Sequence, residues 1–202
     1  MQPALFVRFQ RNIAMIKTIT FGKEFRGFKS GFQLELRPGV NLLVGDQGCG
    51  KSTLLTALQN GATFLPQAAV AVAQEEGTKI RYFDFEKFNP RTSTAFGGDV
   101  DMSVQTRVLF TSHGQAVVLM LADLCKRNAS QPITFLLDEP DTGLSVRSAR
   151  AVGKFFRILA AQGHQVIAAV HNPMLFLLFE EVYSVEHKQW MKGNEFLATQ
   201  MG

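Results

Sequence analysis

The stretch Gly45-Asp46-Gln47-Gly48-Cys49-Gly50-Lys51-Ser52 constrains this chain more than any other. It fits G-x-x-x-x-G-K-[ST]. It follows the apolar run Val40 to Val44 and opens a helical pattern, Ser52 to Gln59, ended by Asn60-Gly61. Strand, glycine loop and helix in that order give the motif its meaning. Glycines let backbone N–H groups turn toward phosphates, and the start of the helix adds the positive end of its dipole. Lys51 then reaches the β- and γ-phosphates, and the Ser52 hydroxyl reaches Mg²⁺. The segment from Gly45 to Thr53 is therefore expected to bind a nucleotide, with Lys51 also acting in catalysis and Ser52 on the metal.

The surrounding pattern suits such a loop. Ile16 to Phe21 and Phe32 to Leu36 read as short strands, and Lys79 to Phe85 as another. Ile133 to Leu137 and Val166 to Val170 are continuous apolar runs of the kind buried on both faces, and Val182 to Val185 reads as a late strand. Gly114 to Lys126 and Val146 to Ala161 are helical by pattern, residues 62–78 are alanine-rich and ambiguous, and 90–103 look like a loop. Apolar strands alternating with helices predict an α/β fold of the P-loop NTPase type, with a mostly parallel central sheet flanked by helices.

Hydrophobic residues at 46% and charged residues at 19% exclude a disordered chain. Cys49 and Cys125 are too few for a disulfide framework and fit a reducing, cytoplasmic setting. The strongest apolar run, Met174 to Phe179, is far short of the roughly 18 residues of a membrane span, so no membrane insertion is expected. Residues 1–14 carry Arg8 and Arg11 without a long apolar core and are read as a basic arm ahead of a single domain, 15–202.

A second acidic site follows the strand Phe135-Leu136-Leu137. Asp138 and Glu139 place two carboxylates at the end of a buried strand, which is costly unless they are solvated, paired or metal-bound. Asp138 would hold Mg²⁺, and Glu139 would act as general base toward an attacking water. The plainer alternative is a strand-end turn at Asp-Glu-Pro.

With these elements the sequence resembles the ATP-binding-cassette (ABC) ATPases. Ser112-His113-Gly114-Gln115 is similar to the family's L-S-G-G-Q signature, with Thr111 for Leu and His113 for the first Gly. Asp141 to Ser145 occupies the place of the D-loop, and His171 that of the switch histidine. Phe25-Arg26-Gly27-Phe28 resembles the amino-terminal strand pattern of the SMC/RecF-like branch, in which an arginine such as Arg26 contacts the nucleotide phosphates. Lys51 and Asp138 are only 87 positions apart, so the resemblance implies a head with a reduced helical subdomain.

The resemblance further implies ATP and Mg²⁺ as ligands and a head-to-tail homodimer around two ATPs. Ser112 and Gly114 would then serve the other copy's γ-phosphate, followed by the helix that starts near Gln115, while His113 adds a donor or faces solvent. His171 would touch the γ-phosphate. For the glutamine loop, 84–89 is favoured over Gln67. Cys49 is either a thiol activated at a helix start or a small residue that fits the loop. Arg147, Arg150, Lys154 and Arg157 form one helix stripe, a solvated face or a non-specific DNA surface. A soluble ATPase working on DNA or on an unidentified protein partner leads this reading. A transporter's nucleotide-binding subunit and an ATP-gated dimer switch with negligible turnover stand beside it.

Overall fold

The structure, a computed structural model, describes residues 15–63, 66–85, 107, 111–127 and 132–201. The basic arm 1–14, positions 86–89 of the glutamine-loop segment and the loop 90–103 lie outside the described residues. The elements run β1 (Ile16–Phe21), β2 (Phe32–Glu35), β3 (Val40–Val44), α1 (Lys51–Asn60), β4 (Val70–Gln74), β5 (Ile80–Asp84), α2 (His113–Arg127) and β6 (Thr134–Asp138). Then come α3 (Val146–Ala161), β7 (Gln165–Ala169), α4 (Pro173–Phe176), β8 (Glu181–Ser184), β9 (Gln189–Lys192) and α5 (Gly193–Met201).

Two sheets result. The larger has the order β5-β6-β7-β3-β8-β9, parallel except for β9. The smaller is antiparallel, β2-β1-β4. The apolar runs are continuous because alternate residues feed two cores. Leu42, Val44, Phe135 and Leu137 face α2 and α3, beside Val117, Leu121, Val152 and Phe156. Leu43, Leu136, Ile167 and Ala169 face the other way, against Leu54, Leu55 and Leu58 of α1 and Ile19 and Phe21 of β1. The mostly parallel sheet is as expected. The second face, however, is covered by one helix and the antiparallel sheet rather than by helices alone.

The alanine-rich segment contains β4, whose register against β1 supplies the order its composition lacks. The apolar run Met174 to Phe179 carries only a single helical turn, Pro173–Phe176. Leu175 and Phe176 are buried, whereas Met174 and Leu177 are exposed.

One buried side chain ties the sheets together. Gln165, at the start of β7, accepts from Ile16 N and Thr134 Oγ1, both at 3.0 Å. Its Nε2 donates to Ile16 O at 2.9 Å and Arg37 O at 3.1 Å. The amide satisfies both backbone groups of Ile16, as a strand partner would.

Candidate functional site

The phosphate loop links β3 to α1. Its most constrained position is Gly50, whose φ of 109° is a left-handed conformation that glycine adopts without steric cost. A Cβ there would also lie 2.8 Å from the Phe28 ring. Phe28 is fully buried and closes a two-residue hairpin, with Phe25 and Phe28 exchanging backbone hydrogen bonds of 2.9 Å in each direction. The hairpin tip, Arg26-Gly27, has φ of 44° and 80°. Its docking on Gly50 holds Arg26 over the loop.

Lys51 is buried, and its ammonium donates to Gly45 O at 2.7 Å and Asp46 O at 2.8 Å. Ser52 Oγ donates to Asp138 Oδ1 at 3.0 Å. Tyr82 of β5 donates to Asp138 Oδ2 at 2.9 Å. Burial raises the Asp138 pKa from its ordinary value, against the two hydroxyl bonds that lower it. Burial, then the adjacent Asp138 charge, pushes the Tyr82 hydroxyl up, so it remains a donor. Ser52 and Asp138 offer one hydroxyl and one carboxylate oxygen within reach of each other. That donor set suits Mg²⁺, which takes one or two carboxylates and completes its shell with phosphates and water.

Glu139 has φ of 51°, a strained conformation for a residue with a side chain. Its N–H donates to Ala169 O at 3.1 Å. Thr142 Oγ1 donates to Glu139 Oε2 at 3.1 Å, and His171 Nε2 lies 3.2 Å from Oε1. Both carboxylate oxygens are therefore engaged, and Glu139 and His171 face one another.

A cavity of about 520 Å³ is lined by Arg26, Gln47, Gly48, Gly50, Lys51, Ser52, Thr53, Glu139 and His171. The structure thus brings the loop, the hairpin arginine, the carboxylate and the histidine to one space. Gly45, Asp46 and Cys49 form the loop's underside and do not line it. Asp138 reaches the site through Ser52.

The signature segment lies elsewhere. Ser112 and Gln115 cap α2 reciprocally: Ser112 N donates to Gln115 Oε1 at 3.1 Å and Gln115 N to Ser112 Oγ at 3.4 Å. Gly114 is buried, and a Cβ there would press within 3.1 Å of Leu144. The side chain of His113 lies outside the described residues. Ser145 caps α3 by accepting from Ser148 N at 3.2 Å. With Arg147 and Thr111, residues Ser112, Gln115 and Ser145 line a separate cavity of about 600 Å³.

Three other expectations meet a different environment. Asp141, placed in the D-loop, is 3% exposed and turned inward. Its Oδ2 accepts from His171 N at 2.7 Å and Asn172 N at 2.5 Å. Gln67 is exposed on a short 3-10 turn, Pro66–Ala68, ahead of β4. Asp84 is buried and pairs in register with Asp138. On α3, Arg147, Arg150 and Lys154 are exposed, but Arg157 is committed to Leu178 O and to the Phe179 ring, 5.1 Å from its centroid. Arg157 is exposed as well, so all four basic side chains of the stripe reach the surface.

Fold and site define a P-loop nucleotide-binding domain built on an ABC-type cassette. The sequence matches the family described as AAA domain over residues 22–128, more than half of the chain, and the chain belongs to that family. No curated protein sequence matches it. Among solved structures it is similar to MJ1267, an ATP-binding cassette of an ABC transporter in its ADP conformation. Identity is 15%, coverage 92% of this chain and 94% of that one, and the TM-score 0.57. A putative metal-chelate type ABC transporter in an inward-facing conformation gives 17% identity, 94% and 89% coverage, and a TM-score of 0.62. UvrA2 from Deinococcus radiodurans gives 14% identity and a TM-score of 0.61, over 85% of this chain and 35% of that protein. At such identities the likeness is one of fold. No helix among the described residues is long and apolar enough to cross a membrane.

Proposed function

We propose that this chain, as a single domain over 15–202, binds ATP with Mg²⁺ and hydrolyses it within a head-to-tail homodimer closed by ATP. The observation that carries this reading is the convergence of Lys51, Ser52, Glu139 and His171 on one cavity. Lys51 offsets the charge of the phosphates. Glu139 accepts the proton of the attacking water, and His171 orients that carboxylate and meets the γ-phosphate. Ser52 and Asp138 would hold Mg²⁺, which would supply charge neutralisation for the phosphates. Ser112 and Gln115 line a cavity other than that of Lys51. This supports their serving the phosphates of a second copy.

Arg26, at its hairpin tip on the wall of the same cavity as Lys51, supports the SMC/RecF-like branch and a DNA-directed role. Arg147, Arg150, Lys154 and Arg157 would then bind DNA phosphates without sequence preference, weakening steeply with salt. The likeness to transporter cassettes over more than nine-tenths of the chain favours a second reading, a nucleotide-binding subunit that works with a membrane protein. In either setting the ATPase would work at the cytoplasmic side.

The test measures turnover and oligomeric state together for wild type and Glu139→Gln, with and without MgATP and with duplex DNA added. Hydrolysis by wild type is expected, with a loss of about 10²- to 10⁴-fold in the variant and its accumulation as an ATP-dependent dimer. Stimulation by DNA selects the first setting, and copurification with membranes selects the second. A wild type that stays monomeric and idle with MgATP overturns the proposal for the isolated chain.

A further inference from the structure

The peptide unit between Gly45 and Asp46 is gripped at both ends. Its carbonyl, Gly45 O, accepts from the Lys51 ammonium at 2.7 Å. Its N–H, Asp46 N, donates to Glu186 Oε1 at 2.5 Å. Glu186 lies in the turn between β8 and β9, 140 residues from the loop in sequence. Its second oxygen accepts from Gln200 Nε2 of α5 at 3.2 Å. The same turn carries Lys188, whose ammonium sits 4.0 Å from the centroid of the Phe28 ring that packs on Gly50. The turn thus braces the phosphate loop on its underside, away from the cavity.

An ammonium has three donors. In Lys51 two are directed to Gly45 O and Asp46 O, with a longer contact of 3.7 Å to Cys49 Sγ, so the loop's own acceptors set where the ammonium sits. That arrangement depends on the Gly45–Asp46 peptide keeping its carbonyl toward Lys51. Gly45 has φ of 147° and no side chain to resist a peptide flip. The carboxylate on the N–H resists it, and it also polarises the carbonyl at the other end of the unit.

We infer that Glu186 is a positioning residue for Lys51: acting through the Gly45–Asp46 peptide it sets the nucleotide affinity of the phosphate loop, and Gln200 of α5 holds it in place. This rests on the reading that the loop binds ATP. Glu186 contacts the loop at Asp46 N and neither Glu139 nor His171, so its loss acts through Lys51 and weakens nucleotide binding more than it slows the chemical step.

Calorimetric titration with MgADP, steady-state hydrolysis of MgATP and thermal unfolding of the full chain test this in Glu186→Ala, Glu186→Gln and Gln200→Ala. Glu186→Ala is expected to raise the Kd for MgADP and the KM for MgATP about tenfold, the scale of one charge-assisted hydrogen bond. Its kcat falls by a smaller factor than KM rises, no more than about threefold. Glu186→Gln keeps an acceptor oxygen and returns both constants to within about threefold, while Gln200→Ala shifts them about two- to threefold in the same direction. Wild-type affinity in Glu186→Ala overturns the inference, as does a loss of kcat alone or a Gln variant as weak as Ala. Should Glu186→Ala not fold, Glu186→Asp, which withdraws the carboxylate by one methylene, must show the same rise in Kd. A wild type that fails to bind MgADP overturns the ATP-binding reading as well. Binding by wild type with unaltered variants overturns this inference alone.

Discussion

A carboxylate that accepts two backbone N–H groups ordinarily titrates low, yet Asp141 is shifted upward. Burial is the largest cause and outweighs the bonds from Asn172 and His171. The second oxygen, Oδ1, is buried without a partner among the described residues. A carboxyl whose folded pKa exceeds its unfolded value of 3.8 contributes stability below that value and loses it as pH rises through the folded pKa. Replacing it by Asn keeps an acceptor for the two N–H groups and removes the buried charge. Asp141→Asn should therefore melt above wild type at pH 8 without nucleotide, the gap closing as pH falls toward 4. A gap that instead widens on acidification would refute this assignment. Lys51, Asp138 and Glu139 were legible in the sequence because each is set by a local strand end or helix start. Tyr82, Thr142 and Glu186 were not. Tyr82 lies 56 residues from Asp138, and Glu186 lies 140 from Asp46. No local pattern announces such partners, although parallel pairing of β5 with β6 would have brought Tyr82 near Asp138.

At the scale of elements, α2 begins on a device readable from four letters. Ser112-His113-Gly114-Gln115 matches the family's signature by resemblance, and the same Ser and Gln are the ends of a capping box. The two roles are separable by substitution. Ser112→Ala removes the side-chain cap and should cost about 1 kcal/mol in chemical unfolding. Ser112→Asp keeps a good cap and adds a negative charge where a partner's γ-phosphate would come. Unfolding should leave the Asp variant within about 0.5 kcal/mol of wild type, while sedimentation should find no dimer with MgATP. An Asp variant that dimerises like wild type would sever the signature from nucleotide contact. The elements that escaped the sequence have physical reasons. The alanines and glutamine of β4 carry little propensity of their own, and β1 imposes its register. β9 is four residues long and made visible only by pairing with β8. The apolar run after His171 leaves the α-helix in tighter turns, Leu178 N donating to Leu175 O and Phe179 N to Phe176 O, both at 3.1 Å, while Leu178 O accepts from Arg157.

For the molecule as a whole, the parallel sheet could be read from its apolar runs, since residues buried on both faces need no alternation. What the runs could not tell is which layer covers each face, because Leu42 and Leu43 look alike in sequence and serve different cores. Gln165 is one of several polar residues buried in that interior, with Asn41, Thr134 and Ser184. Gln165→Leu would strand Ile16 N, Ile16 O and the Thr134 hydroxyl without their partner, and each buried unpaired group costs about 1–3 kcal/mol. Urea unfolding should show a loss on the order of 3–5 kcal/mol. A loss under about 1 kcal/mol would mean that the two sheets hold together by apolar contact alone. The seam at Gln165 also has a mechanical consequence. With both backbone groups of Ile16 bound to its amide, slippage of the small sheet by one register would give up both of those hydrogen bonds together, which resists creep along the seam. Arg26, carried just beyond β1, therefore shares a chassis with the phosphate loop. A ligand held by both would load that frame as one body.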